Sequence, residues 1–230
     1  MAPALKEALL QVSSASAAGA LAKVGIRNVW VRGAMPIAGG GVRTVGEAFT
    51  MRFLPAREDL VGPALAALPN SRAAVEAMED GSIAVIETGG VTDAGVAGDV
   101  LCARMVRRGV TGLVTDGVIR DLAGVEQTGL PVWSKGAASP APGNALTFVD
   151  WGLPIACGGV AIFPGDVIVA DRDGAVVIPQ AMVDSVAAEA AEVERFDAWV
   201  FAKVSEGEQL QGLYPPNAEN LARYKAETGA

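Results

Sequence analysis

The chain has 230 residues, 51% of them apolar, which suits one globular domain with a sizeable buried core. Its 26 acidic and 18 basic side chains leave a net charge of −8 and a pI near 4.6, so it lacks the basic surplus that nucleic-acid binding demands. It contains no histidine, which excludes Ser-His-Asp and Cys-His catalysis and any zinc site built on imidazole.

Residues 3–23 read as one amphipathic helix, with Leu5, Leu9, Leu10 and Val12 ahead of an alanine-rich stretch. Lys6 and Glu7 interrupt the early apolar run, so no signal peptide is expected. No later run approaches the roughly eighteen apolar residues of a membrane span. Short apolar segments follow at Val29–Val31, Ala48–Phe53, Ile83–Glu87, Gly112–Thr115, Val160–Phe163, Val167–Ala170 and Ala175–Ile178. Most are bounded by Gly, Pro, Asp or Asn, which is strand punctuation. Helical patterns lie between some of them, near Ser71–Met78 and Asp99–Arg108.

A long helix is predicted over residues 181–206, where Val183, Val186, Ala187, Ala190, Val193, Phe196, Val200 and Val204 recur at mostly three- or four-residue spacing. Glu189, Glu192, Glu194 and Asp197 on the same helix read as its solvated face. The tail after Gly212 has two prolines and then a charged helical stretch, and it is expected to lie across a neighbouring surface or to fray. Helices early and late around a glycine-punctuated strand set predict an α/β or α+β domain. The strand–helix alternation is not clean, which argues against a Rossmann fold. The phrases Gly81-Ser-Ile-Ala-Val-Ile and Gly165-Asp-Val-Ile-Val-Ala resemble each other and suggest equivalent strands in two layers. Cys102 and Cys157 form no CxxC and read as a buried, reduced pair in a cytoplasmic protein.

The chemistry concentrates between Gly98 and Asp121, where Asp99 is followed by twenty residues and then the adjacent pair Arg120-Asp121. The intervening pattern is a helix feeding a strand, so these charges can converge at two loop ends. Two carboxylates and a guanidinium can hold a hard divalent cation and an oxyanion. Without histidine, the metal must accept oxygen donors, which favours magnesium or manganese. Each residue also has a plainer reading. Asp99 could be a helix cap, worth about 0.5–2 kcal/mol, with free amides at Gly98, Val100 and Leu101 suited to a carboxylate.

Arg120-Asp121 could be a surface pair worth little, but it follows Asp116-Gly117-Val118-Ile119 at the end of an apolar strand, where layered α/β folds build sites. Gly39-Gly40-Gly41 has no following GK[ST] and reads as a surface turn. Gly158-Gly159 says little alone. Gly89-Gly90 ends the Ile83–Glu87 strand just before the Asp99 loop and is expected to bring backbone close to a ligand there.

At Asp99 and Arg120-Asp121 the chain resembles the class II pyruvate aldolases of the RraA-like superfamily, whose D-x20-R-D signature it matches without a gap. Further resemblance lies in Thr44-Val-Gly-Glu-Ala-Phe-Thr, Thr111 to Asp121, Cys157-Gly-Gly-Val, Pro164 to Gly174 and Gly212-Leu-Tyr-Pro-Pro, spanning residues 25–216. The resemblance implies an α/β fold of ββα swivelling type, a layered domain with flanking N- and C-terminal helices. The single domain would be residues 1–230, with an N-terminal helix in 1–24 and a C-terminal helix and tail in 181–230.

It also implies metal-dependent retro-aldol cleavage of a 4-hydroxy-2-oxo acid to pyruvate, with oxaloacetate decarboxylation alongside. Asp121 would bind Mg2+ or Mn2+ directly and Asp99 through water. Arg120 would contact substrate, and the Gly98–Leu101 backbone (Gly98, Asp99, Val100, Leu101) would hold the pyruvyl carboxylate. The implied partners are a small anionic 2-oxo acid and further copies of the chain, as a homotrimer or homohexamer, with no nucleic acid and no membrane. Glu194 of a neighbouring subunit, or Glu192 as second choice, would complete the metal shell through water. The alternative is a non-catalytic regulator of ribonuclease E type, a branch without the complete Arg-Asp signature. Relative to the shortest members, extra sequence lies around Leu54–Ser71 and from Asn217 to Ala230.

Overall fold

The computed structural model describes residues 1–59 and 69–229. The extra stretch around Leu54–Ser71 therefore lies partly outside the described residues. The expected N-terminal helix is two helices, α1 (Pro3–Leu10) and α2 (Ser14–Lys23). Ser13 breaks it by acting as an N-cap, its hydroxyl accepting the Ser16 N–H at 3.0 Å. Two carboxylates from elsewhere hold this break. Asp171 accepts the Ser14 N–H at 2.8 Å, and Glu194 accepts the Ser13 N–H at 2.8 Å. Val29–Val31 forms no strand of its own; Trp30 makes an isolated bridge to Val176.

β1 (Met35–Ala38) is followed by a central alternation of strand and helix: β2 (Thr44–Pro55), α3 (Ser71–Ala77), β3 (Ile83–Glu87), α4 (Asp99–Arg107), β4 (Gly112–Thr115), α5 (Leu122–Thr128) and β5 (Val132–Ser134). Strands β2 to β5 pair in parallel in sequence order. The middle of the chain is thus more regular than its sequence pattern suggests. Helix α5 and strands β1 and β5 are too short to show a period. Then come β6 (Leu146–Trp151), the hairpin β7 (Ile155–Cys157) and β8 (Val160–Ile162), β9 (Val167–Asp171), β10 (Gly174–Ile178), α6 (Val183–Ser205) and α7 (Ala218–Thr228).

The eight-stranded sheet runs β1-β5-β4-β3-β2-β9-β10, with β6 also paired to β2. Long β2 joins the halves: Thr44–Glu47 pairs antiparallel with β9, and Ala48–Arg52 pairs parallel with β3. The two similar strand phrases are therefore both neighbours of β2 in one sheet, not strands of two layers.

Alternation sorts the core. Ala84, Ile86 and Leu113 face α3, α4 and α5, while Val167, Val169, Val176 and Ile178 face α1, α2 and α6. The remaining face curls around one cluster. Ile83, Val85 and Val114 from one half meet Ile168, Ala170, Ala175 and Val177 from the other, with the β7–β8 hairpin filling the concavity. Fully burying each such Val or Ile contributes about 1.5–3 kcal/mol. The result is a mixed α/β fold with a curled sheet and flanking helices. Among the described residues, no helix is long and apolar enough to cross a membrane.

The tail does not fray. Tyr224 of α7 packs edge-on to Phe196 and Trp199 of α6, at ring-centroid distances of 5.2 and 5.6 Å. Phe196 and Trp199 are thus covered by the chain itself, while Phe201 on the same helix stays exposed. Glu227 accepts the Trp199 indole N–H at 2.9 Å and pairs with Lys203 and Arg223. These donors pull its carboxyl from the ordinary 4.5 down to about 2. A depressed carboxyl stabilises the fold fully above its unfolded pKa and loses that contribution as pH falls through the folded one. We expect the Glu227 contacts to Trp199, Lys203 and Arg223 to be lost as pH falls from about 4.5 to 2, loosening the end of α7 while Tyr224 keeps its aromatic packing. A Trp199 indole N–H resonance unchanged down to pH 2 would contradict this.

Candidate active site

The C-terminal ends of β3 and β4 lie at one edge of the parallel sheet, and the loops after them run together. Asp116 ties these loops at their base. Its buried carboxylate accepts the Thr88 N–H at 2.7 Å and the Thr88 hydroxyl at 3.1 Å. Further out, the Val96 N–H donates to Val118 O and the Arg120 N–H to Ala97 O, both at 2.9 Å. Gly95 makes this approach possible, since a Cβ there would stand 2.6 Å from both Arg120 N and Ile119 C.

Asp121 has φ 53° and ψ 43°, the one non-glycine with positive φ among the described residues. Such a conformation costs on the order of 1–3 kcal/mol. It occupies the N-cap of α5, yet its carboxylate caps nothing; Oδ2 accepts the Arg120 Nε–H at 2.8 Å. Both side chains are over a third exposed, so this pair contributes orientation more than stability. The left-handed backbone turns the Asp121 carboxylate to Arg120 rather than to the free amides of α5.

Asp99 is not the helix cap. Gly98 holds that position without a side chain, and Asp99 is the first helical residue. Its Oδ1 accepts the Val100 N–H at 2.7 Å, so this amide, one of those expected to hold a carboxylate, is already occupied. The Asp99 and Leu101 N–H groups carry no bond among the described residues and remain at the positive end of α4. Two glycines interlock the carboxylates. A Cβ at Gly98 would lie 2.8 Å from Asp121 Oδ2, and one at Gly124 would lie 2.8 Å from Asp99 Oδ2. The start of α4 therefore abuts Asp121, and the first turn of α5 abuts Asp99.

These groups line a cavity of about 270 Å³ bounded by residues 95–101, Arg120, Asp121 and Pro142. Gly98, Asp99, Val100, Leu101, Arg120 and Asp121 are thus brought together, although Val100 turns its side chain outward. Sequence reasoning missed Gly95, Gly124 and Pro142. The Gly95-x-x-Gly98 spacing was the available signal for the first. Cys102 lies below, its thiol pushed up to about 12 by burial and by the charge of Asp99, so it is a neutral packing group. Burial raises Cys157 as well, with Asp116 adding to it.

Gly89-Gly90 is not part of this cavity; it lines a separate cleft with Arg32, Gly33, Lys135 and Gly158. Glu194 and Glu192 do not join the site within one chain. Glu194 anchors α2 through Ser13; burial raises its carboxyl, but the Ser13 and Ser16 hydrogen bonds and the charge of Arg43 outweigh this and leave it lowered. Glu192 pairs with Arg195 and accepts the Tyr224 hydroxyl at 3.0 Å. No group of three or more metal-ligating side chains occurs among the described residues.

A curled, mixed α/β domain with two carboxylates and a guanidinium at the ends of its parallel strands is the class that fold and site define. Residues 11–177 match the RraA-like family, described as Aldolase/RraA, and the chain belongs to that family. A Halalkalibacterium halodurans protein provisionally named a 4-hydroxy-4-methyl-2-oxoglutarate aldolase is 34% identical over 146 residues, 60% of this chain and 68% of that one. Protein DlpA of Legionella pneumophila is 26% identical over 209 residues, 91% of this chain, but the chain spans only 33% of DlpA. The crystal structure of Streptomyces coelicolor RraAS2, an unusual member of the RNase ES inhibitor RraA protein family, matches with a TM-score of 0.80 at 33% identity. The match covers 88% of this chain and 98% of that one.

Proposed function

We propose that this protein cleaves a 4-hydroxy-2-oxo acid to pyruvate and a carbonyl product, with a divalent metal bound at Asp121. The observation that carries the reading is the convergence of Asp99, Arg120 and Asp121 on one cavity, with glycines clearing the space around both carboxylates. The donor set fits a hard cation. Two carboxylates leave most positions to water and substrate oxygens, as magnesium or manganese requires. Asp121 would be the direct ligand and Asp99 a partner through water. The chemistry such an ion supplies when bound is polarisation of the 2-oxo group.

The chain's own groups do the rest. The free amides of Asp99 and Leu101 hold the substrate carboxylate at the α4 terminus. Arg120, fixed through Nε, directs its remaining N–H groups at the oxygen where enolate charge develops. Asp99 takes up the 4-hydroxyl proton, directly or through water, as the C3–C4 bond breaks and its electrons enter the enolate. Protonation of that enolate at C3 gives pyruvate. Loss of carbon dioxide from oxaloacetate forms the same enolate, so decarboxylation accompanies the main reaction. The cavity is open on the Val100 side, and we propose that a neighbouring copy in a trimer or hexamer closes it with Glu194 or Glu192.

Purified protein should release pyruvate from a 4-hydroxy-2-oxo acid or oxaloacetate with Mg2+ or Mn2+ and stop on EDTA addition. Undiminished turnover in metal-free protein would sink the metal assignment. A second reading, a ribonuclease-binding regulator, draws on the RraAS2 relative; absence of turnover together with binding to ribonuclease E would favour it.

A further inference from the structure

A second, larger cavity of about 490 Å³ adjoins the site, and Leu101 and Pro142 line both. It lies within the roughly 300–1,000 Å³ of small-molecule sites. Its walls are mainly apolar: Phe53 and Phe148, edge-to-face at 5.1 Å, with Leu146 beside them. Arg72 is its single charged lining residue among those described, and Arg72 is not free. If the pyruvyl end sits at the start of α4, whatever is attached at carbon four passes Leu101 and enters this annex. A second carboxylate there would give up its hydration among aromatic rings, with Arg72 the single charged lining residue among those described to offset that cost. An alkyl or aryl group would lose nothing and bury apolar surface.

We infer that the annex selects substrates carrying an apolar, preferably aromatic, group at carbon four, so that the carbonyl product is an uncharged aldehyde or ketone. This deepens the proposed aldolase reading and rests on it. Binding of uncleavable analogues that lack the 4-hydroxyl tests it by calorimetry on the intact protein with Mn2+. The probes are pyruvate, 2-oxo-4-phenylbutanoate and 2-oxoadipate. The phenyl analogue should bind at least about tenfold more tightly than pyruvate, and 2-oxoadipate should not.

Ala141→Trp, which fills the annex, should erase the phenyl gain; if that variant fails to fold, Asn144→Trp in the same turn makes the same comparison. The inference is overturned if 2-oxoadipate binds as tightly as the phenyl analogue, above all if Arg72→Gln abolishes that binding, or if neither filled variant changes the phenyl-to-pyruvate ratio. If pyruvate itself fails to bind and none is produced from any substrate, the aldolase reading falls and takes this inference with it. Pyruvate binding without phenyl preference removes the inference alone.

Discussion

Asp121→Ala should abolish metal binding and pyruvate release together, by at least about a hundredfold in turnover, because in the proposed aldolase a hard cation would lose its direct anionic ligand. The fold should survive. Asp121 is exposed, caps nothing with its side chain, and its ion pair contributes little stability. Alanine tolerates the left-handed φ of this position less well than aspartate, so a slightly lower melting temperature, from a stability loss on the order of 1 kcal/mol, should accompany the loss of turnover without unfolding the protein.

Arg120→Lys separates the roles of the adjacent pair. It keeps the charge but loses the Nε–H that Asp121 accepts and the planar fork beyond it. Turnover should fall by roughly tenfold or more while metal affinity changes less. Near wild-type turnover in Arg120→Lys would show that Arg120 does not stabilise the enolate. Mn2+ titration and coupled pyruvate detection on the same preparations give both readouts.

Gly95→Val should cost both stability and activity, about 1–3 kcal/mol of the former, since the added carbons meet backbone atoms that cannot turn aside. The same clash would part the segments joined by the Arg120 N–H bond to Ala97 O, misplacing Arg120 and Asp121. Gly98→Ala is the informative contrast. Its methyl would meet the Asp121 carboxylate and the Arg120 stem, both of which can shift. It should impair turnover while leaving the denaturant midpoint near wild type. Equal effects of the two on stability would mean that Gly98, like Gly95, serves the fold.

Much of the sheet was legible because its strands are short apolar runs between turn residues. Ile83–Glu87 and Gly112–Thr115 match the observed strands at both ends. The long C-terminal helix was legible from its three- and four-residue spacing, and it spans Val183–Ser205. Strand β6 was not, since it lies half-exposed beside β2 without clean alternation. The break at Ser13 was not, because it depends on Asp171 and Glu194, more than 150 residues away. The glutamates of α6 read as a solvated face, yet two of them are engaged by Ser13 and Tyr224, contacts made only when the termini pack on that helix.

The sequence by itself determined the chemical inventory: no imidazole, two cysteines without a CxxC, and an Asp followed after twenty residues by Arg-Asp at a strand end. That inventory by itself limits any metal the chain could bind to mainly oxygen ligation. Only the tertiary structure decided which groups meet. It removed Gly89-Gly90 from the candidate site, brought in Gly95 and Pro142 as lining, set Gly124 against Asp99, and showed Asp121 held left-handed with its carboxylate turned to Arg120. The physical reason is that a residue's type and local spacing are written along the chain. Close backbone approach, a strained dihedral and a shared cavity wall arise only when the loops after β3 and β4 are pressed together by the burial of the strands beneath them.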